Sequence, residues 1–332
     1  QKLYIIPIIM SHIKNQIPER RNMIMNNGRR IGLIMIITGA TLWGLSGPMI
    51  QWLFQHTNVS SIDFLTIRLL LAGIFILSFL LIKKQNIFQI WKHPRYSIQL
   101  IIFSILGMLG AQYAFIETVH ISNAVTATLF QFLGPVLITM YVAFEQRKFP
   151  ASMQLFAIIA ALIGTYFIIT NGSIENIVLS KEAIIFGLLT AIGFAFYTLH
   201  PASLIKECGT TVVIGWGMLI GGIALLIYNR SFGWNQFSQT LTLKTFSMLI
   251  LIIISGTISF LLYIGSLKYL AATETSILSS IEPLVAAIVS ITWLNESFGT
   301  YQLLGGVCIV LSVIFLTMPQ KETEPTYTTE QI

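Results

Sequence analysis

Residues 273–296 read TETSILSSIEPLVAAIVSITWLNE, an apolar span with one carboxylate, Glu282, near its middle and Pro283 directly after it. A charge at the centre of a membrane helix costs about 2.5 to 3.5 kcal/mol on insertion scales, so it needs a partner, a water-filled cavity or a proton. The proline also frees a backbone carbonyl one turn earlier, and such a group is tolerated at membrane depth only inside protein or beside water. We therefore expect this helix to face the interior of a helix bundle.

The composition places the whole chain in a membrane. Apolar residues make up 55% of the sequence and charged residues only 10%, against about 25% charged in soluble domains. A soluble globular protein is thereby excluded. Ten segments reach the roughly 20 apolar residues that a spanning helix needs, which predicts an all-α integral membrane protein with ten transmembrane helices. They lie near residues 31–54, 62–82, 97–117, 123–144, 152–170, 182–205, 211–229, 245–267, 273–294 and 300–318.

The distribution of basic residues predicts the orientation. Fifteen of the 19 lysines and arginines fall on the side of the two termini, and three fall on the opposite side, Lys181, Arg230 and Lys244. Because cytoplasmic loops carry the excess of basic residues, both termini are expected in the cytoplasm of a multi-pass plasma membrane protein. The net charge of +6 then reflects topology, and nucleic acid is not an expected partner.

An internal repeat relates the two halves of the chain. A shift of 148 residues places Pro135 on Pro283 and Gln154 on Gln302. Each copy has five spans, and an odd number means that the second copy enters the membrane from the opposite side, as in inverted-repeat transporters. The predicted organisation is an N-terminal extension, disordered or not native, at 1–28, repeats at 29–171 and 172–318, and a disordered cytoplasmic tail at 319–332.

Four stretches resemble the EamA-type repeats of the drug/metabolite transporter superfamily. They are YLAATETSILSSIEPLVAAIVSITWLNE from Tyr269, TYQLLGGVCIVLSVIFL from Thr300, GATLWGLSGP from Gly39 and RLLLAG from Arg68. The resemblance covers about residues 32–318, and it implies ten helices, inverted repeats and transport of small organic solutes. The first copy departs from the second, because Gly134 stands where the second has Glu282, and Lys148 stands where it has Glu296.

Glu282 has two readings that the sequence leaves open. It lies on one helical stripe with Thr275, Ser279 and Ala286, at intervals of four, three and four residues. It is either a site for a cation, an amine or a proton, or a structural carboxyl hydrogen-bonded to a helix end or to Ser279.

The predicted substrate-binding residues combine aromatic rings with hydroxyl and amide groups, as mostly apolar pockets with a few polar anchors do. Packing roles remain the alternative for each of them. Arg68 is expected about two turns below the outer surface, within reach of water by snorkelling, with structural pairing or contact with lipid head groups favoured over a role as a gate. Neither a cofactor nor a metal ion is expected. The set is Trp43, Ser46, Gln112, Phe115, Gln131, Tyr197, His200, Ser259, Tyr263, Ser279 and Glu282.

The leading hypothesis is a secondary transporter of a small organic metabolite, such as an amino acid or an amine. Export is favoured by the resemblance, and proton coupling and the oligomeric state are left open. An importer of a quaternary amine such as choline is one alternative, and a membrane receptor or scaffold without transport is another. A membrane enzyme would need clustered acidic or histidine residues near one surface, and no loop supplies them.

Overall fold

The computed structural model describes residues 5–147, 152–173, 178–229, 242–279 and 281–317, with side chains from residue 28 onward. All regular elements of these ranges are helical. Seven helices are long and apolar enough to cross a membrane, and three shorter ones are apolar. Within the described residues there are thus ten apolar spans, and the prediction of an all-α membrane protein with ten helices is confirmed.

The spans are named α1 to α10 in chain order. They are α1 Ile5–His56, α2 Ser61–Ile82, α3 Pro94–Ile121, α4 Ala124–Glu145, α5 Ser152–Thr170, α6 Lys181–Cys208, α7 Thr210–Tyr228, α8 Leu243–Ser266, α9 in two parts and α10 Thr300–Thr317. A single turn of 3-10 helix, Gln89–Lys92, lies in the connection between α2 and α3, and a π-helical stretch, Phe103–Gly110, lies within α3. The predicted spans agree with these bounds to within a few residues, except at the start of α1, which begins at Ile5 and not near residue 31.

The fourth and ninth spans are broken at equivalent prolines. Helix α4 consists of α4a, Ala124–Gln131, and α4b, Gly134–Glu145, while α9 consists of α9a, Ala272–Leu278, and α9b, Ile281–Trp293. Helix α4b begins one residue before Pro135 and α9b two residues before Pro283, because proline has no N–H to continue the ladder but suits the first turn of a new helix. The freed carbonyls therefore lie inside the bundle, as the sequence predicts.

The packing of the helices has a two-fold pattern. Helix α1 packs on α8 and α9, and α6 packs in the same way on α3 and α4, while α2 packs on α7 and α5 packs on α10. Exchanging helices α1–α5 for α6–α10 maps this set of pairs onto itself. The two five-helix repeats are therefore related by a pseudo-two-fold axis, and their odd number of spans makes them inverted.

Small residues allow the outer pair of helices, α5 and α10, to approach closely. A Cβ atom at Gly164 would lie 2.6 Å from the carbonyl oxygen of Gly305, and one at Gly305 would lie 2.5 Å from that of Gly164. Such contacts between backbones are a common basis of helix association in membranes, where lipid removes the hydrophobic driving force.

The bundle has two ends. We name them the His56 end and the Gly28 end after the limits of the membrane-spanning part of α1, Gly28–His56. At the Gly28 end, Arg29 forms an exposed ion pair of 2.8 Å with Glu274 and so ties α1 to α9a. The membrane side of each end and the bounds of the two repeats stay predictions. The predicted tail, 319–332, lies outside the described residues, as do the side chains of the extension up to residue 27.

Candidate functional site

Glu282 is buried at the break of α9, where only 1% of its surface is exposed. Thr275, Ser279 and Ala286, which share its helical stripe, are fully buried as well. The stripe therefore faces the protein interior, in agreement with the expectation that α9 turns its polar side away from lipid.

The carboxylate of Glu282 accepts hydrogen bonds from an amide on the other broken helix. Gln131 Nε2, at the end of α4a, lies 3.2 Å from Oε1 and 3.1 Å from Oε2 of Glu282. The backbone N–H of Glu282 donates to the carbonyl oxygen of Ser279 at 2.9 Å, across the break in α9. At this site the two repeats are thus joined by a hydrogen bond between one amide and one carboxylate, and each of these groups lies beside a break at a proline.

A cavity opens beside this pair, and its empty space, including the opening, amounts to about 400 Å³. The space within it that water-sized molecules can occupy is about 30 Å³, which is room for about two water molecules. Helices α1 to α4 of the first repeat and α6, α8 and α9 of the second all contribute to its wall. The lining residues are Trp43, Ser46, Ile50, Arg68, Ala111, Gln112, Phe115, Gln131, Tyr197, Phe260 and Glu282. Seven of the eleven predicted residues are among them.

Aromatic rings form one wall of the cavity. The ring of Trp43 meets that of Phe260 edge-on, with centroids 4.7 Å apart, and that of Tyr197 at 6.3 Å. Edge contacts of this kind stabilise aromatic clusters beyond the area that they bury. The wall therefore presents a fixed apolar surface opposite the polar groups.

Four predicted residues lie away from the cavity wall. Tyr263 packs behind Trp43 with ring centroids 5.2 Å apart, and its hydroxyl lies 3.0 Å from Oγ1 of Thr198. The sequence indicates how deep in the membrane such residues lie, but contacts with particular partners decide the direction of their side chains. The other three are His200, whose Nε2 lies 3.1 Å from the carbonyl oxygen of Gln99; Ser259, which donates to the carbonyl oxygen of Ser255; and Ser279, which is buried at the break.

Arg68 lines the cavity, whereas the sequence analysis expected it to form a structural pair or to contact lipid head groups. It is 5% exposed and lines the same cavity as Glu282. Its guanidinium lies against Gly256 of α8, where a Cβ atom would collide with it. Helix α2 is apolar on all sides, so its sequence carries no periodic signal for the face that turns inward. Gly256 was the available sequence signal for the position of Arg68, because a small residue leaves room for a long side chain on the facing helix.

Gln112 of α3 has an unusual position on the cavity wall. It is 5% exposed, and neither its Oε1 nor its Nε2 has a hydrogen-bond partner among the described residues. A buried amide without partners costs about 1–3 kcal/mol per unsatisfied group. The fold therefore keeps an unfavourable group on this wall.

A second, larger cavity of about 940 Å³ lies between α4, α9 and α10. Its lining is almost entirely apolar, with Thr126 and Gln302 as the polar residues. It offers few groups that could orient a polar solute, so the cavity of Glu282 is the candidate site.

The profile of a family described as the EamA-like transporter family matches this chain twice, over residues 30–170 and 181–318. The chain belongs to this family. The two matches coincide with the two packed units of this EamA-like transporter, and the resemblance seen in its sequence is confirmed. It is a multi-pass membrane transporter, and the family supports transport without catalysis.

Relatives of this EamA-like transporter carry transporter names as well. The "Uncharacterized inner membrane transporter YicL" of Salmonella typhimurium is 36% identical over 294 residues, which cover 88% of this chain and 97% of the relative. The "Uncharacterized transporter YcbK" of Bacillus subtilis is 22% identical over 295 residues, or 85% of this chain and 91% of the relative. A solved structure described as "Crystal structure of protein" shares the fold with a TM-score of 0.60 and 14% identity, covering 88% of this chain and 97% of that one.

Proposed function

We propose that the protein is a secondary transporter that moves a small organic metabolite, an amino acid or an amine, out of the cell. The solute binds in the cavity beside Glu282, and the two inverted repeats rock around it to expose it to each side in turn. The observation that carries the proposal is that one cavity with a buried carboxylate is lined by both repeats.

Three features support this mechanism. The cavity combines an aromatic wall with a few polar groups, which is the usual composition of a small-molecule site. The breaks in α4 and α9 lie next to it, and broken helices are where membrane transporters place their binding groups. Its residues come from seven different helices, so a movement of one repeat against the other changes the site directly.

The proposed orientation of the protein in the membrane rests on the distribution of basic residues. The sequence predicts fifteen lysines and arginines on the side of the two termini and three on the other, which supports a cytoplasmic Gly28 end. The described structure is tied at this end by the pair of Arg29 and Glu274. Export and coupling to protons are part of the proposal, with Glu282 as the group that takes up the proton in exchange for the solute.

Transport into vesicles tests the function. The full chain is reconstituted in liposomes, and the uptake of radiolabelled amino acids and amines is measured with and without a pH gradient. We expect the Glu282→Gln variant to lose the response to the gradient, because an amide cannot exchange a proton. The matched control is Glu145→Gln, which removes an exposed carboxylate at the end of α4b and should leave uptake unchanged.

Two results would count against the proposal. Normal uptake by Glu282→Gln at every pH would make the carboxylate a structural group. Failure of the wild-type protein to move any solute that it binds would favour a receptor or scaffold.

A further inference from the structure

We infer that the cavity binds a solute that carries a carboxylate and an ammonium group together, as an α-amino acid does. Arg68 and Gln112 receive the carboxylate, and Glu282 receives the ammonium group. This assignment rests on the proposed function, since it takes the cavity to be the site of the transported solute.

Arg68 supplies the positive pole. Its side chain is 5% exposed, and among the described residues it has no hydrogen bond or ion pair. A guanidinium that is taken out of water without a partner is costly, and a charge inside a membrane protein commonly marks a substrate path. Its planar set of donors matches the two oxygens of a carboxylate. A carboxylate on the solute would therefore be the ion-pair partner that the described protein residues do not provide.

Gln112 is the second, independent observation. Its side chain is also 5% exposed and lines the cavity, with both amide atoms unpartnered in the described structure. Buried polar groups in native proteins are nearly always hydrogen-bonded, so an orphaned amide on a cavity wall indicates a missing partner. The amide nitrogen can donate to a carboxylate, and the amide oxygen can accept from an ammonium group. Gln112 therefore suits a solute with both groups.

Glu282 supplies the negative pole. Its two oxygens accept from a single nitrogen of Gln131 at 3.2 and 3.1 Å, while a carboxylate has about four lone-pair sites. Glu282 and Arg68 line the same cavity, but no ion pair of 4.0 Å or less joins them. The two opposite charges thus face a common space without neutralising each other directly.

The two poles together exclude simpler solutes. A cation without a carboxylate, such as a quaternary amine, would satisfy Glu282 and leave Arg68 without a partner. An anion without an amine would satisfy Arg68 and meet the negative charge of Glu282. The aromatic wall of Trp43 and Phe260 then remains for the side chain of the solute.

Binding of matched analogues tests the inference. The purified full chain is heated with increasing concentrations of each neutral amino acid, of its amide, which lacks the carboxylate, and of its N-acetyl derivative, which lacks the ammonium group. Affinities follow from the concentration dependence of the unfolding temperature. We expect at least one amino acid to bind ten-fold or more tightly than both of its analogues.

Substitutions at the two poles should change the preference for charge. Arg68→Met should weaken binding of the amino acid at least ten-fold and leave binding of its amide unchanged. Glu282→Gln should weaken binding of the amino acid and spare the N-acetyl derivative. Arg95→Met, which removes an exposed arginine in the first turn of α3, should change neither. Arg68→Lys keeps the charge without the planar fork, so we expect it to bind with intermediate affinity.

Each outcome decides the question. The inference is overturned if the amide binds the wild-type protein as tightly as the amino acid, or if Arg68→Met keeps the affinity for the amino acid. The wild-type comparison alone suffices if the Arg68 variants do not fold. Glu282-dependent transport of amines, with no binding of amino acids, would overturn the inference and leave the proposed function standing. Absence of transport for every class would overturn both.

Discussion

Gln51 joins three parts of the bundle at the His56 end, and its main partner is Glu296. Its Nε2 donates to Oε1 of Glu296, in the connection between α9b and α10, and its Oε1 accepts from the backbone N–H of Ala124 at 2.9 Å. Gln51 follows directly after Ile50, which lines the cavity. One side chain therefore ties α1, α4 and the connection between α9b and α10 together next to the candidate site.

We predict that Gln51→Ala opens the His56 end. A hydrogen bond to a charged group contributes about 1.5–3 kcal/mol, so its loss should shift the balance towards the open state by about ten-fold or more. The measurement is the rate at which a membrane-impermeant thiol reagent labels a Ser46→Cys reporter in the cavity, with Cys208 and Cys308 replaced by serine. Gln55→Ala, at an exposed position one turn further along α1, is the control. Equal labelling rates in the two variants would show that Gln51 does not hold this end closed.

The bond between Gln131 and Glu282 should appear as a coupling energy. A hydrogen bond to a charged group is worth about 1.5–3 kcal/mol, and a double-mutant cycle isolates that term for residues in contact. We expect a coupling of this size between Gln131→Leu and Glu282→Leu, measured as free energies of unfolding in mixed micelles. Gln131→Leu and Glu145→Leu, which change residues on separate parts of α4, should be additive. Additivity in the first pair as well would contradict the observed contact.

Gly134 is the equivalent of Glu282 in the first repeat, but the structure leaves no room for a larger side chain at this position. The ring of Phe194, which is fully buried, occupies the position where a Cβ atom of Gly134 would lie. Gly134→Ala should therefore destabilise the protein by about 1–3 kcal/mol through overpacking, seen as a lower unfolding temperature. In a Phe194→Leu background the same substitution should cost less. Gly47→Ala, whose Cβ would meet its nearest neighbour at 3.4 Å, should be tolerated, and an equal loss at both glycines would refute the steric explanation.

Neighbouring glycines on α10 should respond differently to the same change. Gly305→Ala places a methyl group against the backbone of α5, whereas at Gly306 the nearest atom is a side-chain carbon of Leu129 at 3.7 Å. We expect Gly305→Ala to lower the unfolding temperature, and Gly306→Ala to be neutral or stabilising, by at most about 1 kcal/mol, because alanine favours helices. Similar temperatures for the two variants would mean that α5 and α10 do not pack as described.

Proline and the buried carboxylate allowed much of the site to be predicted from sequence. Pro135 and Pro283 mark the two breaks, because the missing N–H acts locally whatever surrounds it. The stripe of Glu282 is buried for a similarly local reason, since a charge in an apolar helix has to face protein or water.

The misassigned residues depend on contacts between helices. The cavity position of Arg68 was missed because hydropathy indicates only depth, whereas the side of α2 that faces the cavity is set by packing on α7 and by the space at Gly256. His200 was taken as a cavity residue, but it stacks on Phe196 and meets the carbonyl oxygen of Gln99 on α3. Gln99 lies 101 residues from His200 in sequence, and Gly256 of α8 is farther still from Arg68 of α2, so no periodic pattern indicates these contacts.

A stretch of π-helix, Phe103–Gly110, interrupts α3 just before Gln112 and Phe115. Its hydrogen bonds join residues five apart, one more than in an α-helix, so each turn of the helix contains more residues. The two cavity side chains are therefore out of phase with the first part of α3, in the way that a one-residue insertion would offset them. Deletion of a single residue between 103 and 110 would turn them towards another helix, so the direction in which Gln112 points depends on the number of residues before it as well as on their kind.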